Sequence, residues 1–167
     1  MCLFVLHLLP PYFGHLHNAI IFMKSIQEAL PLLQEAYERE AHNFDAALNL
    51  GAAYIMSGRF KLARPVLELL RESHPDNSKV WINLGAAYLG NPILATNEQQ
   101  QQAIAAFKQA LELDPVAQNV AYNIALIYRD RKEVEEAKFW FRQAIRHNPR
   151  DQHARNQLER LQDMEGS

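Results

Sequence analysis

The side chains able to make or break bonds are few in this 167-residue sequence, and their spacing does not suit that work. His7, His15 and His17 could in principle share a metal ion, but the spacing is too loose for a defined ligand set. His147 and His153 stand near the C-terminus without a carboxylate at ligand spacing. Glu133, Glu135 and Glu136 cluster where a helix should begin, and negative charge there answers the helix dipole in a solvated setting. Cys2, the single cysteine, has no activating surroundings, and no nucleophile is paired with a base. The six glycines are scattered, so no phosphate-cradling loop is present. No catalytic residue, metal site or cofactor is expected. What does recur is an amide: Asn49, Asn83 and Asn123 each stand one residue before a Leu or Ile. An amide offers donors and an acceptor together, which is the chemistry of holding a chain and not of transforming it.

The elements that must position those amides come from an internal repeat. Asn49-Leu50-Gly51-Ala52-Ala53-Tyr54 is followed by Ala63 and Pro75, Asn83-Leu84-Gly85-Ala86-Ala87-Tyr88 by Ala103 and Pro115, and Asn123-Ile124-Ala125-Leu126-Ile127-Tyr128 by Ala137 and Pro149. The first unit repeats after 34 residues and the second after 40, because six extra residues lie between Tyr88 and Ala103. Trp81, Leu84 and Tyr88 share one helical face, and Ala103, Phe107 and Ala110 share another, so each unit reads as two helices. Gly51, Gly85 and Ala125 sit where the paired helix should cross closely, and so do Ala63, Ala103 and Ala137; a larger side chain there should cost about 1–3 kcal/mol by overpacking. Pro75, Pro115 and Pro149 stop the second helix of each unit.

This pattern resembles the tetratricopeptide repeat family. Trp81, Leu84, Gly85, Tyr88, Ala103, Phe107, Ala110 and Pro115 carry nearly the full signature. The outer units depart from it at Ala47, Ala121, Leu67, Leu70 and Ala125, each of which stays small or apolar. The expected fold is therefore all-α: a right-handed superhelix of about three helix pairs closed by a capping helix. The boundaries follow from the signature. Residues 1–23 form an atypical leader, 24–43 a half-repeat helix, 44–77, 78–117 and 118–151 the three repeats, and 152–167 the capping helix and tail. Ser25 with Glu28 fits a capping box that would start the half-repeat helix, which places Pro31 in its first turns.

The resemblance implies a concave wall built by the first helix of each pair. On that wall Asn49, Asn83 and Asn123 should form a row able to hydrogen-bond an extended peptide backbone, as in some members of the family; the same asparagines could instead bond only within the array. Around them should lie Lys79, Ile82 and Ala86 of the second unit and Asn119, Tyr122, Leu126 and Arg129 of the third. Family members that grip a terminal carboxylate use Lys and Asn at the places held here by Leu48 and Ala52, so a carboxylate-clamp co-chaperone is not expected. An apolar peptide segment is. In the insertion, Ile93 and Leu94 either contact a partner at the rim or fold back on the neighbouring turn, and Thr96 with Gln99 should cap the next helix.

Bulk properties agree with a binding module. Lys plus Arg is 17 and Asp plus Glu is 19, a net charge of −2 that gives no basic face for nucleic acid. One cysteine excludes a disulfide within the chain and fits a reducing compartment; the cytoplasm is the expectation. Residues 1–23 contain no Lys, Arg, Asp or Glu, yet Pro10 and Pro11 end their apolar run well short of the ~20 residues of a membrane span. A membrane partner is thus not expected. The alternative to a peptide-binding adaptor is a structural role, in which the apolar N-terminal end mediates self-association or membrane tethering.

Overall fold

Helix starts are written into the chain by short polar side chains that accept an otherwise unpaired backbone amide. The computed structural model describes residues 16–40 and 43–164, with side chains from residue 24 onward. In it, Asn43 accepts from the Ala46 amide at 3.1 Å, Asn77 from Lys79 at 3.0 Å and Asp151 from Ala154 at 3.0 Å. Thr96 and Gln99 form the expected reciprocal box, with bonds of 3.2 and 2.9 Å. The described residues make eight helices: α1 (Leu16–Arg39), α2 (Phe44–Met56), α3 (Phe60–Ser73), α4 (Ser78–Leu89), α5 (Asn97–Leu113), α6 (Val120–Asp130), α7 (Val134–His147) and α8 (Gln152–Asp163).

Three close pairs, α2–α3, α4–α5 and α6–α7, stack in series, with α1 against α2 and α8 against α7. The crossings are tight for the reason the small residues suggest. A Cβ on Gly51 would fall 2.6 Å from Leu67 Cδ2, and one on Gly85 would fall 2.6 Å from the Phe107 ring. One buried cluster gathers Leu30, Leu50, Leu67 and Leu84, a second gathers Phe107, Ile124, Phe141 and Leu161, and the half-buried Tyr88 packs against both. The units are also joined by polar contacts at their tyrosines. Tyr88 donates to Glu68 at 3.2 Å, and Lys108 donates to the Tyr128 hydroxyl at 3.3 Å.

The turns that follow each second helix share one geometry. The amides of His74, Asp114 and Asn148 bond four residues back, at 2.7, 2.8 and 2.9 Å, immediately before the three prolines. The turns within a pair differ. After α2, Gly58 has φ +75°, its amide bonds Ile55 and the Arg59 amide bonds Tyr54: a Schellman closure. After α6, the same two bonds run from Lys132 to Arg129 and from Glu133 to Tyr128, but the left-handed position is held by a lysine at φ +63°. A Cβ is disfavoured in that region. Lys132→Gly is accordingly expected to stabilise the array by about 1 kcal/mol, read as a higher urea midpoint; an unchanged or lower midpoint would refute the strain.

Two expectations are corrected. Ser25 does not start a helix: α1 begins at Leu16 and runs to Arg39 without interruption, since no Pro or Gly lies between Leu16 and Met23. Pro31 therefore sits deep inside α1, and the Gln27 carbonyl it frees belongs to an exposed residue that water can reach. Met1 to His15, which include Cys2, His7 and His15, lie outside the described residues, and so does the side chain of His17.

Candidate peptide-binding site

Helices α2, α4 and α6 carry Asn49, Asn83 and Asn123 at equivalent repeat positions, although α6 starts two residues later in its unit, and the three amides meet different surroundings. Asn49 is exposed. Asn83 is half-buried and donates from Nδ2 to the Lys79 carbonyl one turn back, at 3.0 Å. Asn123 is 1% exposed, and its Oδ1 is buried with no hydrogen-bond partner. The wall is thus open along α2 and α4 and closed along α6.

The neighbouring side chains follow the same gradient. Leu48 and Ala52 of α2 and Ile82 of α4 are half-buried, Lys79 is exposed, and Ala86 is buried. On α6, Asn119 is exposed at the mouth, but Tyr122 and Leu126 are buried. The Tyr122 ring packs edge-on against Phe141, with centroids 5.6 Å apart. Its phenol is pushed above its ordinary pKa, first by burial and then by the charge of Asp151 at the start of α8, with Arg129 opposing. Arg129 is itself engaged: it donates to Gln157 of α8 at 2.9 Å and pairs with Asp130 at 2.6 Å. Helix α8 packs chiefly against α7 and meets α6 through the Arg129–Gln157 bond.

At the rim, the six-residue insertion does not fold back. Ile93 is 82% exposed and Leu94 is 76% exposed. Asn91 holds them outward, its Oδ1 accepting from the Ile93 amide and its backbone carbonyl from the Leu94 amide, both at 3.0 Å. The insertion removes the Schellman closure seen after α2 and α6, so the Ala87 and Tyr88 carbonyls would be left without partners. Arg64 of α3 supplies them, from Nε to Ala87 at 3.1 Å and from Nη2 to Tyr88 at 3.0 Å. Sequence reasoning did not find Arg64. The available signal was indirect: a lengthened turn moves the chain away from the helix end, so some donor must replace two backbone amides.

Among the described residues, no group of three or more His, Cys, Asp or Glu is placed to hold a metal ion, and no helix is long and apolar enough to cross a membrane. The candidate site is therefore an apolar, amide-bearing wall with one cation, Lys79, at its edge.

Comparison with known proteins agrees with this architecture. A family model described as tetratricopeptide repeat matches residues 23–88, and a second with the same description matches 92–152. The curated proteins give no match. Among solved structures, one described as MamA MSR-1 C2 is 31% identical, with 81% of this chain aligned to 75% of that one and a TM-score of 0.63. TTC0263, a thermophilic TPR protein in Thermus thermophilus, is 19% identical over 90% of this chain and 81% of its own, with a TM-score of 0.71. The first TPR of Spaghetti (RPAP3), bound to the HSP90 peptide SRMEEVD, is 17% identical over 74% of this chain and 96% of its own, with a TM-score of 0.64. At such identities the last two are alike in fold alone.

Proposed function

The chain belongs to the tetratricopeptide repeat family, and from that premise we propose that it is a non-catalytic adaptor holding an extended, largely apolar peptide segment of a partner protein along the wall of α2 and α4. The observation that carries this reading is the opening of that wall. Asn49 is exposed, Asn83 is half-buried, and Leu48, Ala52 and Ile82 stand half-covered around them. Backbone bonds to the two amides would set the register of the segment, and the apolar side chains would take its alternate residues. Leu48 and Ala52 can neither donate to nor pair with a terminal carboxylate, so the occupant is an internal stretch and not a chain end. Ile93 and Leu94 would extend the contact at the rim. The proposed division into units is 44–77, 78–117 and 118–151, with the second enlarged by the insertion.

Asn49 and Asn83 are the residues to replace, because Asn49 is exposed and the bond of Asn83 to Lys79 stays within its own helix. Tyr122→Ala would unpack α6 from α7 and confuse binding with folding. For a synthetic peptide spanning the captured partner segment, Asn49→Ala with Asn83→Ala is expected to weaken binding about thirtyfold, from two hydrogen bonds of ~1 kcal/mol each. The thermal midpoint should stay within about 2 °C, as for surface substitutions. Unchanged affinity in the double variant would overturn the amide-rung reading.

A further inference from the structure

The second helix of each pair hides one signature face against its first helix. Ala63, Leu67 and Leu70 of α3, Ala103, Phe107 and Ala110 of α5, and Ala137, Phe141 and Ala144 of α7 are all buried, none more than 7% exposed. One repeat length before α3, the same places on α1 are held by Ala29, Leu33 and Ala36. There the face is open: Ala29 and Leu33 are half-buried, Ala36 is exposed, and Leu32 beside them is 67% exposed. Among the described helices, α1 packs chiefly on α2, and none pairs with it as a first helix would. The built pairs show what this face accepts. It is an antiparallel helix, as the short turns at 57–59 and 131–133 require. That helix also carries a small residue where the large side chain crosses, as Gly51 does at Leu67 and Gly85 at Phe107.

We propose that this face of α1 is a dimer interface, and that its occupant is α1 of a second copy, antiparallel about a two-fold axis between Leu32 and Leu33. Such an isologous pair needs a self-complementary face, and α1 has one. Ala29 of each copy meets Ala36 of the other, so small residues stand at the close approach, and the leucines fill the centre. The flanking charges match in this direction only: Glu28 comes beside Arg39 of the second copy, and Lys24 beside its Glu40. A parallel pair would set Glu28, Glu35 and Arg39 each against its own copy. The other end of the array cannot serve instead. On α8, Glu159 stands where the first helices carry Gly51, Gly85 and Ala125, and both it and Arg155, one turn earlier, are exposed. A second helix crossing there would bury charge and find no small residue to admit it. Copies therefore do not continue head to tail, and the assembly closes at two. The inference stands apart from the reading of the α2–α4 wall, so the failure of one does not decide the other.

Two measurements on the full chain test it. The first is sedimentation equilibrium at tens of micromolar, which should give twice the mass of one chain. Leu32→Glu with Ala36→Glu replaces two exposed side chains, so helicity should be kept while the dimer dissociation constant rises at least about tenfold through like-charge repulsion. A monomeric full chain, or a dimer that the double variant leaves equally tight, would overturn the proposal; so would a larger assembly. The second fixes the geometry without disturbing the fold. In a Cys2→Ser background, a short bis-maleimide should link two copies through Leu32→Cys, which lies beside the two-fold axis, and should not link them through Leu69→Cys, which is exposed on α3. Linkage at position 69 equal to that at 32, or linkage at neither, would overturn the proposal.

Discussion

Phe107→Ala is expected to lower the unfolding free energy by about 3–5 kcal/mol, the largest loss among the single substitutions considered. The ring is 0% exposed and lies where α4 and α5 cross. It fills the space that Gly85 leaves, with Cδ1 and Cε1 each 2.6 Å from where a Cβ on that glycine would stand. Gly85→Ala alone should therefore destabilise: it forces the ring to move at a cost of about 1–3 kcal/mol, against a gain of about 1 kcal/mol in helix propensity. In the Phe107→Ala background the same Gly85→Ala change meets no ring and should be neutral or stabilising. Urea unfolding of the four proteins measures this coupling, expected at about 1–3 kcal/mol. Additivity of the two changes would show that the glycine is not there for the ring. The third unit shows why the clash is a matter of set spacing: Ala125 and Phe141 occupy the matching places and are both fully buried. A helix pair formed around alanine accommodates it, whereas one formed around glycine must shift.

Arg64→Ala should cost about 2–3 kcal/mol, because two carbonyls lose charge-assisted bonds at once. The affected groups are Ala87 and Tyr88 at the end of α4, which have no closing backbone turn of the kind that serves α2 and α6. The damage should be local as well as global. Amide exchange in the last turn of α4 and in residues 90–96 should quicken more than in α6. Arg64→Lys should restore less than half of the loss, since one ammonium cannot span both carbonyls as a planar guanidinium does. Full recovery by lysine would mean that the charge and not the fork is what the turn requires. Arg64 also lies 5.7 Å from the centre of the Tyr88 ring, so its stem and head join the first unit to the second.

Much of this fold is legible in the sequence because its constraints are local and repeated. Gly51 and Gly85 mark close crossings, Pro75, Pro115 and Pro149 mark the stops, and Thr96 with Gln99 marks a helix start; all act through neighbours within a turn or through one partner helix. What was not legible depends on tertiary context. Ser25 and Glu28 have the residues of a capping box, but a box acts only where a helix ends, and nothing breaks the chain from Leu16 onward. Asn49, Asn83 and Asn123 are alike in sequence and unlike in burial, because burial depends on which helices pack around each one and not on its own flanking residues. Ile93 and Leu94 carry no sign of their direction, which is set by the bonds of Asn91. Arg64 is an ordinary helical arginine until the insertion downstream of Tyr88 creates two carbonyls for it to serve.

The central claim is that a partner segment lies along α2 and α4, and site-specific photocrosslinking tests it most directly. A photoreactive side chain at Asn49, exposed on the wall, is compared with one at Leu69, exposed on the second helix of the same pair. The expected result is that position 49 attaches to one contiguous stretch of the partner, away from its C-terminus, while position 69 attaches to none of it. Attachment from position 69, or capture of the partner without attachment from position 49, would contradict the account.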